Sequence, residues 1–269
     1  MFFYPQNLHT HTIHCDGIDT PEEMVLKAIE LGFDTIGFSS HSPSPRPSVI
    51  QTKLAPYKLE INALKEKYRD RIRILCGIEF EMYSVCDIDG YDYKIGSVHY
   101  LKLGNAFGGV DSDAKNVENI IQNYFDGDGI RYAKAYYETL THLHEYGDFD
   151  IVGHFDLVTK HSEKHNFFDT TSLEYRNAAL ESLHAVAEHF SVFELNTGAI
   201  SRGYRTTPYP DTFLLKEMKE LGCSIIISSD CHNKNYLDCC FGDSVALLQS
   251  CGFDEVSVLT PDGFKGIKI

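Results

Sequence analysis

The sequence predicts an α/β fold: a parallel barrel, closed or nearly closed, with its functional site at the C-terminal ends of the strands. Two observations carry this. At least seven short apolar segments with strand character alternate with helical segments along the 269-residue chain. Nearly every one of those strands ends with a histidine, a carboxylate or an asparagine at or just past its C-terminal end. A parallel barrel gathers such ends at one mouth. An open doubly wound sheet does so only in part, so contributions from almost all strands favour the barrel.

The elements follow in order. Read as a strand, Leu8 to His11 alternates its faces, so His9 and His11 project to one side with room for a metal ion between their rings. Thr20-Pro21-Glu22-Glu23 is a capping box with proline at the first helical position, and the helix it opens stops at Gly32. Thr35–Ser39 is a buried strand delivering His41, and Pro43, Pro45 and Pro47 stiffen the loop after it. Apolar spacing places a second helix over Leu54–Tyr68. Arg71–Ile78 is a strand ending at Glu79, and Tyr93–Val98 is one ending at His99. Residues 101–128 turn glycine-rich and acidic around a short helix at Val117–Phe125, the signature of an insertion or lid over the site. A long helix at Ile130–Glu145 precedes the strand Asp150–Gly153, which leads to His154. A helix over Leu173–His189 then leads to the strand Val192–Leu195, ending at Asn196. The helix Leu214–Leu221 closes at Gly222, and the strand Ser224–Ser228 leads to Asp230 and His232. Asp243–Ser250 and Glu255–Leu259 are read as the last helix and the last strand. With no linker, low-complexity run or internal repeat, residues 1–269 read as one domain.

Composition narrows the class. A hydrophobic content of 43% with 12% aromatic residues is that of a globular protein with a substantial core. The formal charge of -15 and the lack of a basic cluster argue against a nucleic-acid surface. No segment has the length of a membrane span or the pattern of a signal peptide, so the expected location is the cytoplasm. The eight cysteines show no C-x-x-C pairing, and reduced thiols are expected. Cys76 and Cys223 adjoin apolar runs and read as core residues; Cys15 and Cys231 stand beside candidate ligands but are also read as packing residues.

The strand-end set comprises His9, His11, Asp16, His41, Glu79, His99, His154, Asp230 and His232. Any one of these is explained by an ordinary polar role, but the shared placement of all of them points to metal. Mixed imidazole and carboxylate donors without cysteine suit zinc, iron or manganese rather than magnesium or calcium. The set exceeds the needs of one ion, so two to three divalent ions are expected, with a carboxylate such as Glu79 able to bridge two. Other histidines are set aside. His142 and His144, read on a helix, lie about 200° apart around its axis and cannot chelate one ion. His161 and His165 lack a third ligand nearby, and His184 and His189 suit exposed or capping roles. His14 is open between substrate contact and solvent.

The ensemble of His9-Thr10-His11 with Asp16, His41, Gly77-Ile78-Glu79, Gly96-Ser97-Val98-His99, Gly153-His154-Phe155-Asp156 and Ser229-Asp230-Cys231-His232 resembles the polymerase and histidinol phosphatase (PHP) superfamily over essentially the whole chain. Glu194 through Arg205, followed by Pro208-Tyr209-Pro210, looks like its histidinol-phosphatase branch. The resemblance implies a distorted (β/α)7 barrel with a trinuclear site. His9, His11, Glu79 and Asp230 would hold one metal; Glu79, His99 and His154 the second; Asp16, His41 and His232 the third. Cys231 departs from the serine more usual in the last motif; it changes no ligand but adds an oxidisable thiol beside the site.

The expected chemistry is hydrolysis of a phosphate monoester by a hydroxide held between metals, with no protein nucleophile. Phosphoryl transfer asks the protein for positioning and charge, so Arg202 and Arg205 are the first candidates to grip phosphate and Lys160 the third. The implied substrate is L-histidinol phosphate, in histidine biosynthesis. The alternatives are another small phosphate such as a nucleotide or phosphotyrosine, a C–N hydrolase sharing the ligand logic, and a metal-binding module without turnover.

Overall fold

The computed structural model describes residues 3–46 and 52–269, so Pro47 of the predicted stiff loop lies outside the described residues. The first strand, β1 (Gln6–Asn7), ends before the Leu8–His11 strand expected from the sequence. The ladder breaks because the Asn7 side chain takes the His9 backbone N–H (3.1 Å); pairing resumes only at Thr10, which bridges to Cys231. Thr20 and Glu23 form the predicted capping box of α1 (Pro21–Leu31), and Gly32 ends it at φ 81°, where a side chain would be strained. After β2 (Thr35–Phe38), α2 (Leu54–Tyr68) occupies its predicted span. Its Tyr57 hydroxyl lies 2.8 and 2.7 Å from the Phe38 and Gly77 carbonyls, tying helix to sheet.

The next strand, β3 (Arg73–Glu81), runs on past Ile78, so Glu79 sits within it rather than beyond it. It pairs with β4 (Tyr93–Ser97) as far as Glu81 opposite Ser97. Within the expected insertion stands an antiparallel hairpin that sequence reading missed, β5 (Tyr100–Leu103) and β6 (Ala106–Gly109), followed by α3 (Ala114–Tyr124), capped by Asp113. The helix α4 (Gly129–Thr141) stops short of the predicted Glu145, because His142 caps it and a 3-10 turn, Leu143–Glu145, follows. Then come β7 (Ile151–Val152), α5 (Leu173–Ala187), β8 (Val192–Asn196), a single helical turn α6 (Gly198–Ser201), α7 (Thr212–Glu220), β9 (Ser224–Ser228) and α8 (Phe241–Ser250). The predicted last strand is β10 (Glu255–Thr260), which leaves the main sheet and folds back antiparallel with β11 (Gly263–Lys268).

The main sheet is parallel throughout, in the order β1-β2-β3-β4-β7-β8-β9. Its edges meet where the Thr10–Cys231 bridge forms and where Asn7 Nδ2 donates to Ser229 Oγ (2.6 Å). The result is a nearly closed, distorted (β/α)7 barrel, as the resemblance implied. Alternation along the strands sorts its contents. Leu75, Tyr93, Ile95, Val192 and Ile226 pack together in the lumen, while Cys76, Phe80, Phe193, Ile225 and Ile227 pack outward in the layer that carries the helices. Residues one or two pleats further along the inward faces are polar: Glu79 and Glu81 on β3, Glu194 and Asn196 on β8. An apolar floor therefore supports a polar mouth. Leu259 and Phe264 of the terminal hairpin pack beneath that floor. The hairpin is fastened to the first strand by Gln6, which exchanges hydrogen bonds with the Leu259 backbone at 2.8 and 3.1 Å.

Tyr93 fills the lumen at the level between floor and mouth, its hydroxyl 3.0 Å from the Phe38 carbonyl. It fits because the facing residues are glycines. A Cβ at Gly77 would land on the Tyr93 ring, and one at Gly37 would meet Leu8 Cδ2 at 2.9 Å. Gly77→Ala is expected to destabilise the fold by about 1–3 kcal/mol through overpacking, measured by chemical denaturation; an unchanged midpoint would show that the ring has room to move.

Candidate metal centre

The polar mouth is organised around Glu79, which is 1% exposed. Its two oxygens face different partners. Oε2 lies 3.3 Å from His9 Nε2, 3.5 Å from His11 Nε2 and 2.8 Å from His41 Nδ1. Oε1 lies 3.1 Å from His99 Nε2 and 2.9 Å from His154 Nε2. Asp230 Oδ1 joins the first group, 3.6 Å from His9 Nε2 and 3.2 Å from His11 Nε2. Nearer the surface, Asp16 reaches His41 Nε2 at 3.5 Å through Oδ1 and His232 Nε2 at 3.2 Å through Oδ2. The structure thus brings together every strand-end residue in the predicted set.

Three clusters have donor atoms close enough to share an ion: His9, His11 and Asp230; His41, Glu79 and His99; and His11, Asp16, His41 and His232. The fit to cations does not rest on proximity alone. His9 Nε2, His11 Nε2 and Glu79 Oε2 are buried, converge on one another and have no hydrogen-bond partner. Orphaned polar atoms of this kind are costly, and a cation among them would satisfy all three. Burial would push the Glu79 carboxyl up, but His9, His41, His99 and His154 hold it well below the usual range. Conversely, the carboxylates overcome burial to raise His9 and His41 well above the ordinary imidazole value, and His99 to about 10. The carboxylates therefore hold protons on imidazoles that divalent cations would displace.

A second layer orients the rings, and sequence reading missed it. Glu194 accepts from His9 Nδ1 (2.9 Å), from the His154 backbone N–H (2.6 Å) and from Asn196 Nδ2 (2.8 Å). Glu81 accepts from the backbone N–H (2.7 Å) and Nδ1 (3.1 Å) of His99. Such partners fix which ring nitrogen faces the metal. The available signal was a charged residue in the middle of an otherwise apolar strand, on the same face as Asn196.

Residues 7–198 match the model of the PHP domain. The chain belongs to the PHP domain family. Among its relatives is the histidinol-phosphatase of Bacillus subtilis, 26% identical over 249 residues, covering 83% of this chain and 92% of that one. The histidinol-phosphatase of Lactococcus lactis is 24% identical, covering 98% and 94%. A solved Lactococcus lactis histidinol phosphate phosphatase, complexed with zinc, L-histidinol and phosphate, shares the fold at TM-score 0.75 and 22% identity, covering 97% of this chain and 98% of that one.

In this PHP domain the candidate phosphate-binding cations part company. Arg202 and Lys160 line a cavity of about 280 Å³ above the metal centre. Arg202 Nη2 donates to Asp230 Oδ2 (3.0 Å) and Nη1 to the Asp230 carbonyl (2.7 Å). Gly198 makes room for this pair, since a Cβ there would meet Arg202 Nη2 and Asp230 Oδ2 at 2.8 Å. Lys160 Nζ donates to the Asp111 carbonyl (2.9 Å) and carboxylate and lies 4.3 Å from the centre of the Tyr204 ring. The structure does not bring Arg205 to the cavity. Gly203 turns the chain at φ 70°, and the Arg205 guanidinium is buried against Thr159, Thr207 and the Tyr209 ring, within 3.8 Å of Asp156.

The histidines set aside have other partners. His142 pairs with Glu145 (2.8 Å), and His144 stacks on His189 at 3.8 Å; neither is in the helix where sequence reading placed them. His161 donates to the Ser112 carbonyl (2.8 Å), His184 contacts Glu217 (2.6 Å) and His14 contacts Glu60 (2.7 Å). The Cys231 thiol is sealed from solvent and pushed up to about 12 by burial, so it is not the oxidisable group its position suggested.

Replacing His9 and His11 together with alanine is expected to remove at least one bound metal per chain while leaving the far-ultraviolet circular dichroism unchanged. Full metal content by elemental analysis would overturn their assignment. Glu194→Gln keeps the ligands but removes the negative charge and one of the two acceptor oxygens behind His9 and His154, so metal affinity should fall about 10–100-fold; wild-type affinity in a chelator competition would show that the ring is held without the charge.

Proposed function

We propose that this chain hydrolyses L-histidinol phosphate to L-histidinol and phosphate, using two to three divalent cations held at the barrel mouth. The observation that carries the reading is the division of Glu79, with separate imidazole groups on its two oxygens, beside a cavity lined by Arg202 and Lys160. The names of the relatives that span nearly their whole length support the same substrate. His9, His11, Asp230 and Glu79 Oε2 would hold one cation, and Glu79 Oε1, His99 and His154 a second. Asp16, His41 and His232 would hold a third. The donor set fits zinc, iron or manganese.

Bound there, the cations would supply Lewis-acid charge to the phosphoryl oxygens and lower the pKa of water toward neutrality. The protein's own contribution is placement. Glu194 and Glu81 fix the His9 and His99 rings, so the cluster needs little reorganisation as charge develops. Arg202 and Lys160 line the cavity and would neutralise the phosphate dianion there. Arg202 also holds Asp230, which couples the anion's site to the cation's. The opposite wall comes from the hairpin insertion, where Tyr100, Asp111 and Ser112 face the cavity. Asp111 stands against Lys160, and its side chain is 44% exposed. With phosphate on Lys160, Asp111 is released to receive the substrate's ammonium.

Protein reconstituted with zinc, iron or manganese should release phosphate from histidinol phosphate in preference to p-nitrophenyl phosphate and nucleotides; no release from any of them would overturn the proposal. Arg202→Ala is expected to lower kcat/KM about a hundredfold, and unchanged steady-state kinetics would remove Arg202 from phosphate binding. Asp111→Asn should raise KM for histidinol phosphate about tenfold and leave KM for p-nitrophenyl phosphate, which has no ammonium, unchanged. Equal effects on both substrates would mean that Asp111 acts only through Lys160.

A further inference from the structure

On the connection from β9 to α8, seven residues beyond the mouth histidine His232, two cysteines follow one another. The Cys239 thiol donates to Cys240 Sγ at 3.7 Å, and both side chains are partly exposed. The local backbone holds them in this pose. The Cys239 N–H donates to the Tyr236 carbonyl (3.1 Å), and Cys240, in the left-handed region at φ 56°, caps α8. Leu237, two residues earlier, is buried and accepts from Asn7 Nδ2 (2.9 Å), so the base of the connection is anchored to the barrel.

Two outcomes are open to such a pair. The first is a disulfide. Neighbouring Cα atoms across a trans peptide lie ~3.8 Å apart, below the ~4.4–6.8 Å range that relaxed disulfides span, and the sulfurs would have to close to ~2.0 Å. The second is capture of a thiophilic atom between them. A pyramidal trivalent centre holds its two sulfurs somewhat closer than the 3.7 Å already present, a far smaller closure than the ~2.0 Å that a disulfide demands. No histidine or carboxylate of the described residues completes a cluster with this pair. A centre that needs only two protein sulfurs is therefore favoured over a four-coordinate metal.

We propose that Cys239 and Cys240 form a dithiol site for monosubstituted trivalent arsenicals, separate from the metal centre. The reaction balances without a redox step. An arsenoxide, R–As=O, condenses with both thiols, two As–S bonds form, and the oxygen leaves as water with the two thiol protons. Arsenic stays trivalent. Burial and the neighbouring sulfur push the Cys239 thiol up to about 12, so at neutral pH it stays protonated until the arsenoxide oxygen takes the proton.

The test treats the full-length reduced protein with one equivalent of phenylarsine oxide and follows intact mass. The expected result is a single adduct, formed with loss of water, that survives excess glutathione and is stripped by 2,3-dimercaptopropanol. Cys239→Ser and Cys240→Ser should each speed its loss in glutathione about a hundredfold, the advantage of holding one centre at two points. Both variants should keep wild-type phosphatase activity, since neither residue touches the site. Peptide mapping of the wild-type adduct provides a readout independent of the variants. An adduct mapped to Cys15 or Cys86, retained by the double variant, or stripped by glutathione would overturn the proposal.

Discussion

The constraint on which the structure depends is the burial of the Glu79 carboxylate among five imidazoles. A carboxylate out of water is tolerated only if positive charge and hydrogen bonds surround it. The rings arrive from four places in the chain, past the ends of β1, β2, β4 and β7, and Glu79 from β3, so the cluster exists only when these strands stand in their correct order. The apolar lumen below has the complementary role. Tyr93, Ile95, Ile151 and Ile226 fill it to the level of the carboxylates, which keeps water from the underside of the site and gives the rings a fixed base. Packing and polarity are in this sense two ends of the same strands.

The second layer explains how flexible imidazoles become a rigid set. Glu194 serves His9, His154 and Asn196 together, so a single buried side chain sets the relative positions of β1, β7 and β8 at the mouth. The hairpin insertion adds a wall with its own attachment: adjacent Lys160 and His161 grip adjacent Asp111 and Ser112. One of those two links is the ion pair that lines the cavity, so ligand charge and the seating of the insertion are not independent.

Much of this was legible in the sequence because it is written in local signals. The Thr20–Glu23 box, the Leu54–Tyr68 periodicity and the polar residue at each strand end all have direct structural counterparts. Features that depend on the path of the chain were not legible. Arg202 and Arg205 are near neighbours in sequence, but the left-handed turn at Gly203 sends one guanidinium into the cavity and the other against Asp156. Glu194 was overlooked because attention to strand ends passes over an inward residue one pleat earlier. The β5–β6 hairpin lay within a glycine-rich stretch read as an insertion, although Gly104 at φ 64° is the turn that makes it. His142 and His144 followed a helical pattern that the chain abandons at Thr141.

The terminal hairpin under the barrel floor bears on when the site can exist. Tyr4 donates to the Ser257 carbonyl at 2.7 Å across 253 residues, and Gln6 holds Leu259. His9 and His11 stand immediately above these contacts, and their partners Asp230 and His232 lie on the facing edge of the sheet. During synthesis His9 and His11 emerge 221 residues ahead of Asp230 and His232 (230 − 9 and 232 − 11) and wait for them. Contacts so distant in sequence form late, after most of the loop-closure entropy has been overcome. The centre built on His9, His11 and Asp230 is thus a product of ring closure, and a half-made chain offers imidazoles without the geometry that would retain an ion.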